Sequence, residues 1–319
     1  MCATHGVMSG VKKAGICFAL MTSSVSATAF TQASKIADGT YPYNTFVIPC
    51  LVELVKFLVT SSLVLSTRTF GWSFTNYRCK RVDFSQLLSY SFPAFCYFIS
   101  NNSAFYIIRD SGATVYQITN NLKVFTTALF MRPLLGRKLS WQRWRSLVIL
   151  VMGSALAHLD PNNEPQQNRQ TSSKYGLFSI LINVSSAGAG GAYSEMLLKG
   201  MKPGCGGDIH TQNLKLYFFG VLFGLISFIL QGSTENHTDG FLHGFNGFAY
   251  AAVVSLTIYG ILVSYTLKYL DNLAKCFVTA ASMFVVAVLD AGLQNQSVSP
   301  YVYLGIILVC LALLQYHST

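Results

Sequence analysis

Charge is scarce in this chain. Only 11% of its 319 residues are Asp, Glu, Lys or Arg, against about a quarter in an ordinary soluble domain. Hydrophobic residues make up 52%, and the mean hydropathy is +0.44. That balance excludes one soluble globular domain, because the apolar runs are too long and too many for a single buried core. The eight cysteines (2, 17, 50, 79, 96, 205, 276 and 310) are scattered and form no Cys-x-x-Cys pair. They give neither a disulfide framework nor a zinc site, and read mostly as small apolar packing residues. No metal-ligand cluster is visible, and no histidine lies well inside an apolar run beside a nucleophile or carboxylate, which argues against a membrane enzyme. No stretch is left over for a detached soluble domain.

What is present is a series of apolar windows. Stretches of about 20 residues, the length that crosses a bilayer as a helix, fall at 13–34, 43–66, 84–108, 111–133, 143–159, 175–198, 211–231, 241–266, 272–293 and 300–316. The expectation is an all-α membrane protein of ten transmembrane helices. The net charge of +10 would raise the question of nucleic acid in a soluble protein, but its distribution answers otherwise. One set of alternate connections carries Lys12, Lys13, Arg68, Arg78, Lys80, Arg81, Arg137, Lys138, Arg143, Arg145, Lys199 and Lys202. The other set holds only Lys35, Arg109, Arg169 and Lys174, beside Asp160, Glu164, Glu235 and Asp239. This positive-inside asymmetry places both termini in the cytosol and makes the basic charge a topology signal. Residues 14–30, ending in small residues at Ala27-Thr28-Ala29, imitate a signal peptide. A retained first helix is preferred, because removing it spoils the charge alternation.

The polar segment 160–173 falls at the midpoint and reads as a linker. It divides the chain into halves of five helices, about 13–159 and 174–316, so corresponding helices cross in opposite directions. A short motif supports duplication. Lys123-Val-Phe-Thr-Thr-Ala128 returns as Lys275-Cys-Phe-Val-Thr-Ala280 in the pattern Lys-x-Phe-x-Thr-Ala. Chance accounts for four matching positions on their own; agreement with half-length and with apolar context favours two inverted five-helix repeats. A lysine near hydrocarbon is costly, by roughly 2.5–3.5 kcal/mol on insertion scales, so each is a candidate functional residue. A pair in equivalent positions suggests an anion site between the halves.

Other polar side chains cluster at helical spacing. Glu53 and Lys56 lie i, i+3 on the second span, as either a structural ion pair or a functional one. Tyr97 and Asn101 share a face of the third, next to Asn102. Tyr116, Gln117, Asn120, Asn121 and Lys123 crowd the fourth, too polar for a lipid-facing turn. Asn213, Lys215 and Tyr217 follow on the seventh; Lys268, Tyr269, Asp271, Asn272 and Lys275 lie around the eighth and ninth. Aromatic rings stack on bases and amides hydrogen-bond base edges, though interhelical bonding by Asn is the plainer reading. Lysines, tyrosines and amides with few acids suit a ligand carrying phosphate, an aromatic base and hydroxyls. Ala187-Gly-Ala-Gly-Gly-Ala192 and Gly220-x-x-x-Gly224 read as tight helix packing. Sequons at Asn236 and Asn295 fall in connections away from the cytosol, whereas those at Asn101 and Asn183 lie within helices.

In sequence, Tyr116-Gln-Ile-Thr-Asn-Asn-Leu-Lys-Val-Phe-Thr-Thr-Ala128 followed by Leu135-Gly-Arg-Lys-Leu-Ser140 and Trp144 resembles the nucleotide-sugar transporter family, in the branch of CMP-sialic acid, UDP-galactose and UDP-N-acetylglucosamine carriers. Tyr97-x-x-x-Asn-Asn102, Tyr193-x-Glu-x-x-x-Lys199, Gln212-Asn-Leu-Lys-Leu-Tyr217 and Lys268-Tyr-x-Asp-Asn-x-x-Lys275 extend the resemblance from about Pro42 onward. It implies the ten-helix drug/metabolite transporter fold, a Golgi membrane location, and exchange of a lumenal nucleoside monophosphate for a cytosolic nucleotide sugar, with no cofactor. Carried onto matching positions, Lys123 and Lys275 would bind phosphate. Tyr97, Asn101, Asn102, Tyr116, Gln117, Asn213 and Tyr217 would surround the nucleoside and sugar, and Glu53 would support transport. The chain departs from the pattern at Tyr259-Gly-Ile-Leu262, Cys276 and Met196, where Gly-Gly-Leu-Leu, Gly and Lys are usual. Lipid is the expected surrounding; a homodimer or a complex with glycosyltransferases is left open. Rival readings are an exporter of another phosphorylated metabolite and a non-transporting Golgi scaffold.

Overall fold

The computed structural model describes residues 9–36, 41–44, 47–69, 84–111, 113–156, 174–202, 207–232, 242–293 and 299–318. They form eleven helices: α1 (Gly10–Ala33), α2 (Val47–Thr69), α3 (Phe84–Ser89), α4 (Ser91–Ser111), α5 (Ala113–Leu135), α6 (Trp141–Leu156), α7 (Lys174–Leu198), α8 (Ile209–Gly232), α9 (Gly247–Tyr269), α10 (Asn272–Leu293) and α11 (Pro300–His317). Ten are long. The short α3 is separated from α4 by a turn at Tyr90, and the two together occupy the expected third span. Proline at position 93 suits a helix start, because the first turn needs no amide hydrogen there.

Helix ends follow local chemistry. Asn246 accepts the Ala249 amide at 2.8 Å and starts α9, and Asp271 accepts that of Ala274 at 2.6 Å and starts α10. Gly136 and Gly200, both at φ 65°, end α5 and α7, which a residue with a side chain does poorly.

By length and hydropathy four segments qualify as membrane spans among the described residues: Gly10–Ala33, Val47–Ser66, Gly247–Tyr269 and Asn272–Leu289. The surface agrees. Leu58, Leu65, Ile229, Val254, Leu304, Ile307 and Leu314 are exposed, while Lys56, Asn183, Glu195, Gln212, Asn213 and Asn272 are buried. Apolar side chains outside and polar ones inside suit hydrocarbon as the solvent. The protein is a multi-pass helical membrane protein.

The most extensive interfaces are α4 with α7, α6 with α11, α1 with α9, α5 with α7, α2 with α8, and α1 with α10. Helix α7 is central because its glycines admit three neighbours. A methyl on Gly188 would strike Thr126 of α5, one on Gly190 would lie 2.8 Å from Cys96 of α4, and one on Gly191 would strike the Asn272 amide of α10. The expected tight packing is thereby observed, and interhelical bonds reinforce it. Thr126 donates to the Val184 carbonyl at 2.7 Å, and Asn183 donates to the Ser100 carbonyl at 2.6 Å and Ser103 Oγ at 3.0 Å. The main apolar core gathers Val124, Ala128, Met131, Leu147, Leu150, Leu273, Phe277 and Phe284 where α5, α6, α10 and α11 meet. The linker 160–173 and the sequons at Asn236 and Asn295 lie outside the described residues.

Candidate functional site

The two motif lysines converge. Lys123 on α5 and Lys275 on α10 both lie deep in the bundle, and the charge of Lys275 acts directly on Lys123. Both retain some accessible surface. Lys123 Nζ reaches Ser100 Oγ of α4 at 3.4 Å. Lys275 lies within electrostatic reach of Cys276, Tyr97, Tyr259 and Glu195. The hydroxyl of Tyr97 is buried with no hydrogen-bond partner among the described residues.

A second group adjoins it. Lys56 Nζ contacts Glu53 Oε1 at 2.5 Å across one turn of α2, so this pair faces the bundle interior. Glycine makes the space. A methyl on Gly220 of α8 would lie 2.6 Å from Glu53 Oε2, and one on Gly260 of α9 would lie 2.9 Å from Lys56 Cδ. The Lys56 ammonium sits 4.6 Å from the centroid of the buried Tyr217 ring, a cation–π distance. The Tyr217 hydroxyl is 3.2 Å from Ser264 Oγ on α9. One turn before it, Asn213 is 1% exposed, and neither its carbonyl nor its amide group has a hydrogen-bond partner among the described residues. A buried amide without partners costs about 1–3 kcal/mol, a cost that water or a bound ligand removes. Tyr97 lies within electrostatic reach of both Tyr217 and Lys275, and so joins the two groups.

The remaining expected residues divide. Asn102 donates to the Phe98 carbonyl at 2.8 Å and accepts from Ser227 Oγ at 3.1 Å, tying α4 to α8. Its amide is engaged in helix packing. Asn101 is exposed, one turn beyond Tyr97. The side chains of Tyr116 and Gln117 lie outside the described residues. Sequence reasoning did not single out Ser100, Ser264 or Gly220 for the site, since hydroxyls and glycines are common in apolar helices and gain meaning only from what they face.

Below Lys275 lies a compact ionic cluster. Glu195 of α7, with a side chain 0% exposed, receives Lys199 Nζ at 2.7 Å, a guanidinium nitrogen of Arg137 at 3.1 Å and the backbone N–H of Asn272 at 2.9 Å. Arg137 also lies 3.8 Å from Asp271. Lys202, counted from the sequence as a surface charge, instead donates to Ser89 Oγ at 2.8 Å and to the Tyr193 hydroxyl at 3.0 Å. Lys268 likewise donates inward, to the Gly207 carbonyl at 2.7 Å and Gln212 Oε1 at 3.0 Å.

Comparison with known proteins bears on this arrangement. The profile of the nucleotide-sugar transporter family matches residues 10–317. UDP-galactose translocator 1 of Caenorhabditis elegans is 29% identical over 316 residues, covering 95% of this chain and 87% of that protein. The UDP-N-acetylglucosamine transporter of Rattus norvegicus is 32% identical over 235 residues, covering 72% and 71%. CMP-sialic acid transporter 2 of Oryza sativa subsp. indica is 30% identical over 268 residues, covering 84% and 73%. A solved crystal structure superposes with a TM-score of 0.66 over 95% of this chain and 96% of the other at 12% identity, which establishes the shared fold alone. The family match spans all the described helices, including those that carry the lysine pair. The chain belongs to the nucleotide-sugar transporter family, and is a transporter rather than an enzyme.

Proposed function

We propose that the protein is a Golgi antiporter that exchanges a cytosolic UDP- or CMP-sugar for the corresponding lumenal nucleoside monophosphate. The observation that carries this reading is the meeting of Lys123 and Lys275 in the bundle interior. Two buried ammonium groups repel one another strongly at low dielectric, and a phosphate between them turns that repulsion into attraction. Phosphate is common to both exchanged ligands, so it serves as the constant anchor. Tyr97, Asn213 and Tyr217 face the nucleoside and sugar, with Tyr116, Gln117 and Asn101 completing the pocket, Asn102 bracing α4 against α8 beside it, and Glu53 holding Lys56 in place. The names of the relatives support UDP or CMP as the nucleotide.

The halves 13–159 and 174–316, joined by the linker 160–173, act as inverted repeats that rock about this site. Helix pairing supports this. Let α3 and α4 count as one span, and exchange each span for the one five places away. The interface of α1 with α9 then becomes α7 with α4, that of α5 with α7 becomes α10 with α1, and those of α2 with α8 and α6 with α11 map onto themselves. The basic connections and both termini face the cytosol.

The test uses proteoliposomes loaded with UMP, CMP or GMP and challenged with a panel of nucleotide sugars. Lys123→Ala or Lys275→Ala should lose about 1.5–3 kcal/mol, roughly ten- to hundredfold in apparent affinity. Lys→Arg should rescue only in part, because a planar fork does not fill the space of a compact ammonium. The two losses should not add if both lysines touch one phosphate. Near-normal exchange by the double mutant at normal expression would sink the anion site and favour a non-transporting scaffold.

A further inference from the structure

The ionic cluster below Lys275 is not needed to bind a nucleotide sugar, and its construction is lopsided. Glu195 is wholly buried and has two cationic partners of different kinds. Lys199 lies on the same helix, four residues on, and its Nζ also donates to the Leu270 carbonyl. Arg137 comes from the other half of the chain, on the connection just past Gly136, and its side chain is 42% exposed. Of the two, Arg137 alone joins the first half to the second at this end: it touches both Glu195 of α7 and Asp271 at the α9–α10 junction.

The two partners therefore differ in what their departure costs. Removing a buried carboxylate's last partner is strongly unfavourable. If Arg137 swings out to solvent, Glu195 keeps Lys199 and the Asn272 amide, and Asp271 keeps the Ala274 amide at the start of α10. No bare buried charge remains. The bond across the halves is thus the one in the cluster that breaks cheaply and re-forms, because its other members stay satisfied. Its position adds meaning. Glu195 and Asp271 hold the first turn of α10, and Lys275 donates its own amide to the Asp271 carbonyl, one turn deeper. Tyr316 and Arg143 pack alongside, within electrostatic reach of the cluster and each other.

We propose that Arg137 is the removable pin of a latch whose fixed part is Glu195 with Lys199, and that this latch shuts the basic face of the bundle over the Lys123–Lys275 site. It rests on the alternating-access reading above. Opening on that face requires Arg137 to leave Glu195 and Asp271, and the α5–α6 connection then separates from α7 and the start of α10.

Cys276, beside Lys275, is a built-in reporter. The full-length protein in proteoliposomes is treated with a membrane-impermeant methanethiosulfonate on the Arg137 face, and modification of the Cys276 peptide is followed by mass spectrometry. Arg137→Gln should speed modification about fivefold, and Arg137→Lys should restore most of the original rate. An unchanged rate in Arg137→Gln protein of normal thermal stability would overturn the latch. An equal rise with reagent on the opposite face would overturn it too, since it would mark general loosening. Should Arg137→Gln fail to assemble, about 0.5 M salt on the unaltered protein makes the same test: faster modification from the Arg137 face supports the latch, and no change rejects it. UMP should slow modification in all variants. Lack of protection would reject the phosphate site, while the dependence on Arg137 would still judge the latch separately.

Discussion

The two ends of the bundle close corresponding helix seams with different chemistry. At the end bearing Leu198 and Asn272, charged groups do the fastening: Glu195 with Lys199 and Arg137, and Lys202 with Ser89 of α3 and Tyr193 of α7. At the opposite end, α1 and α9 are fastened largely by neutral groups. Ser34 Oγ lies 2.6 Å from the Tyr43 hydroxyl, Asn246 Nδ2 donates to the Ser34 carbonyl at 2.9 Å, and the Tyr43 and Phe245 rings stand 4.8 Å apart. A cation at that end, Lys35, sits 5.5 Å over the Tyr41 ring. The basic connections supply cations to one face, and the buried Glu195 finds its partners there. The charged seam should therefore be costly to break by mutation and sensitive to salt; the neutral seam should be cheaper to break and indifferent to salt.

The largest expected effect is at Glu195. Replacing it with Ala leaves Lys199 and the Asn272 amide facing an apolar gap, and should cost about 3–5 kcal/mol, read as a marked fall in the thermal midpoint in detergent. Glu195→Gln should be milder, since it still accepts the Asn272 amide. A Glu195→Ala protein as stable as the original would mean that water reaches the cluster.

At the neutral end Asn246→Ala removes both the cap on α9 and the bond to the Ser34 carbonyl, and should cost about 1–2 kcal/mol. Its effect should not change with added salt; strong salt dependence would erase the contrast between the ends. Tyr43→Phe removes one neutral hydrogen bond, worth about 1 kcal/mol. Burial raises the Tyr43 phenol above its ordinary value of 10.0, partly offset by the bond to Ser34. Its neutral form is the one favoured in the fold, so its contribution is complete below about pH 10 and is lost as pH rises further. Tyr43→Phe should therefore flatten the alkaline limb of the stability curve. The smallest effect belongs to the exposed Lys138. Lys138→Ala should shift stability by less than about 0.5 kcal/mol and leave exchange unchanged. It suits a charge control better than Lys202, which is tied to Ser89 and Tyr193.

The sequence was informative wherever a signal was periodic or costly. Each of the ten expected spans has its helix, because hydrocarbon thickness sets the length of an apolar run; only the break at Tyr90 was missed. The paired lysines stood out because charge inside an apolar run is expensive. The fate of the amides was not legible. Asn102 and Asn183 serve packing while Asn213 has no partner among the described residues, and all three sit in similar apolar company in the chain. An asparagine's role depends on what lies opposite it, and the helix that supplies this is remote in sequence.

By itself, then, the chain determined its all-helical membrane character, its helix lengths and the motif that returns after half its length, since these follow from hydropathy, spacing and the cost of burying charge. Only the tertiary structure decided that Lys123 and Lys275 share one interior, that Gly220 faces Glu53, and that Arg137 crosses between the halves to a carboxylate 58 residues away at Glu195. Those are relations between distant segments, fixed by which small residues let helices approach and which ions neutralise one another once they have.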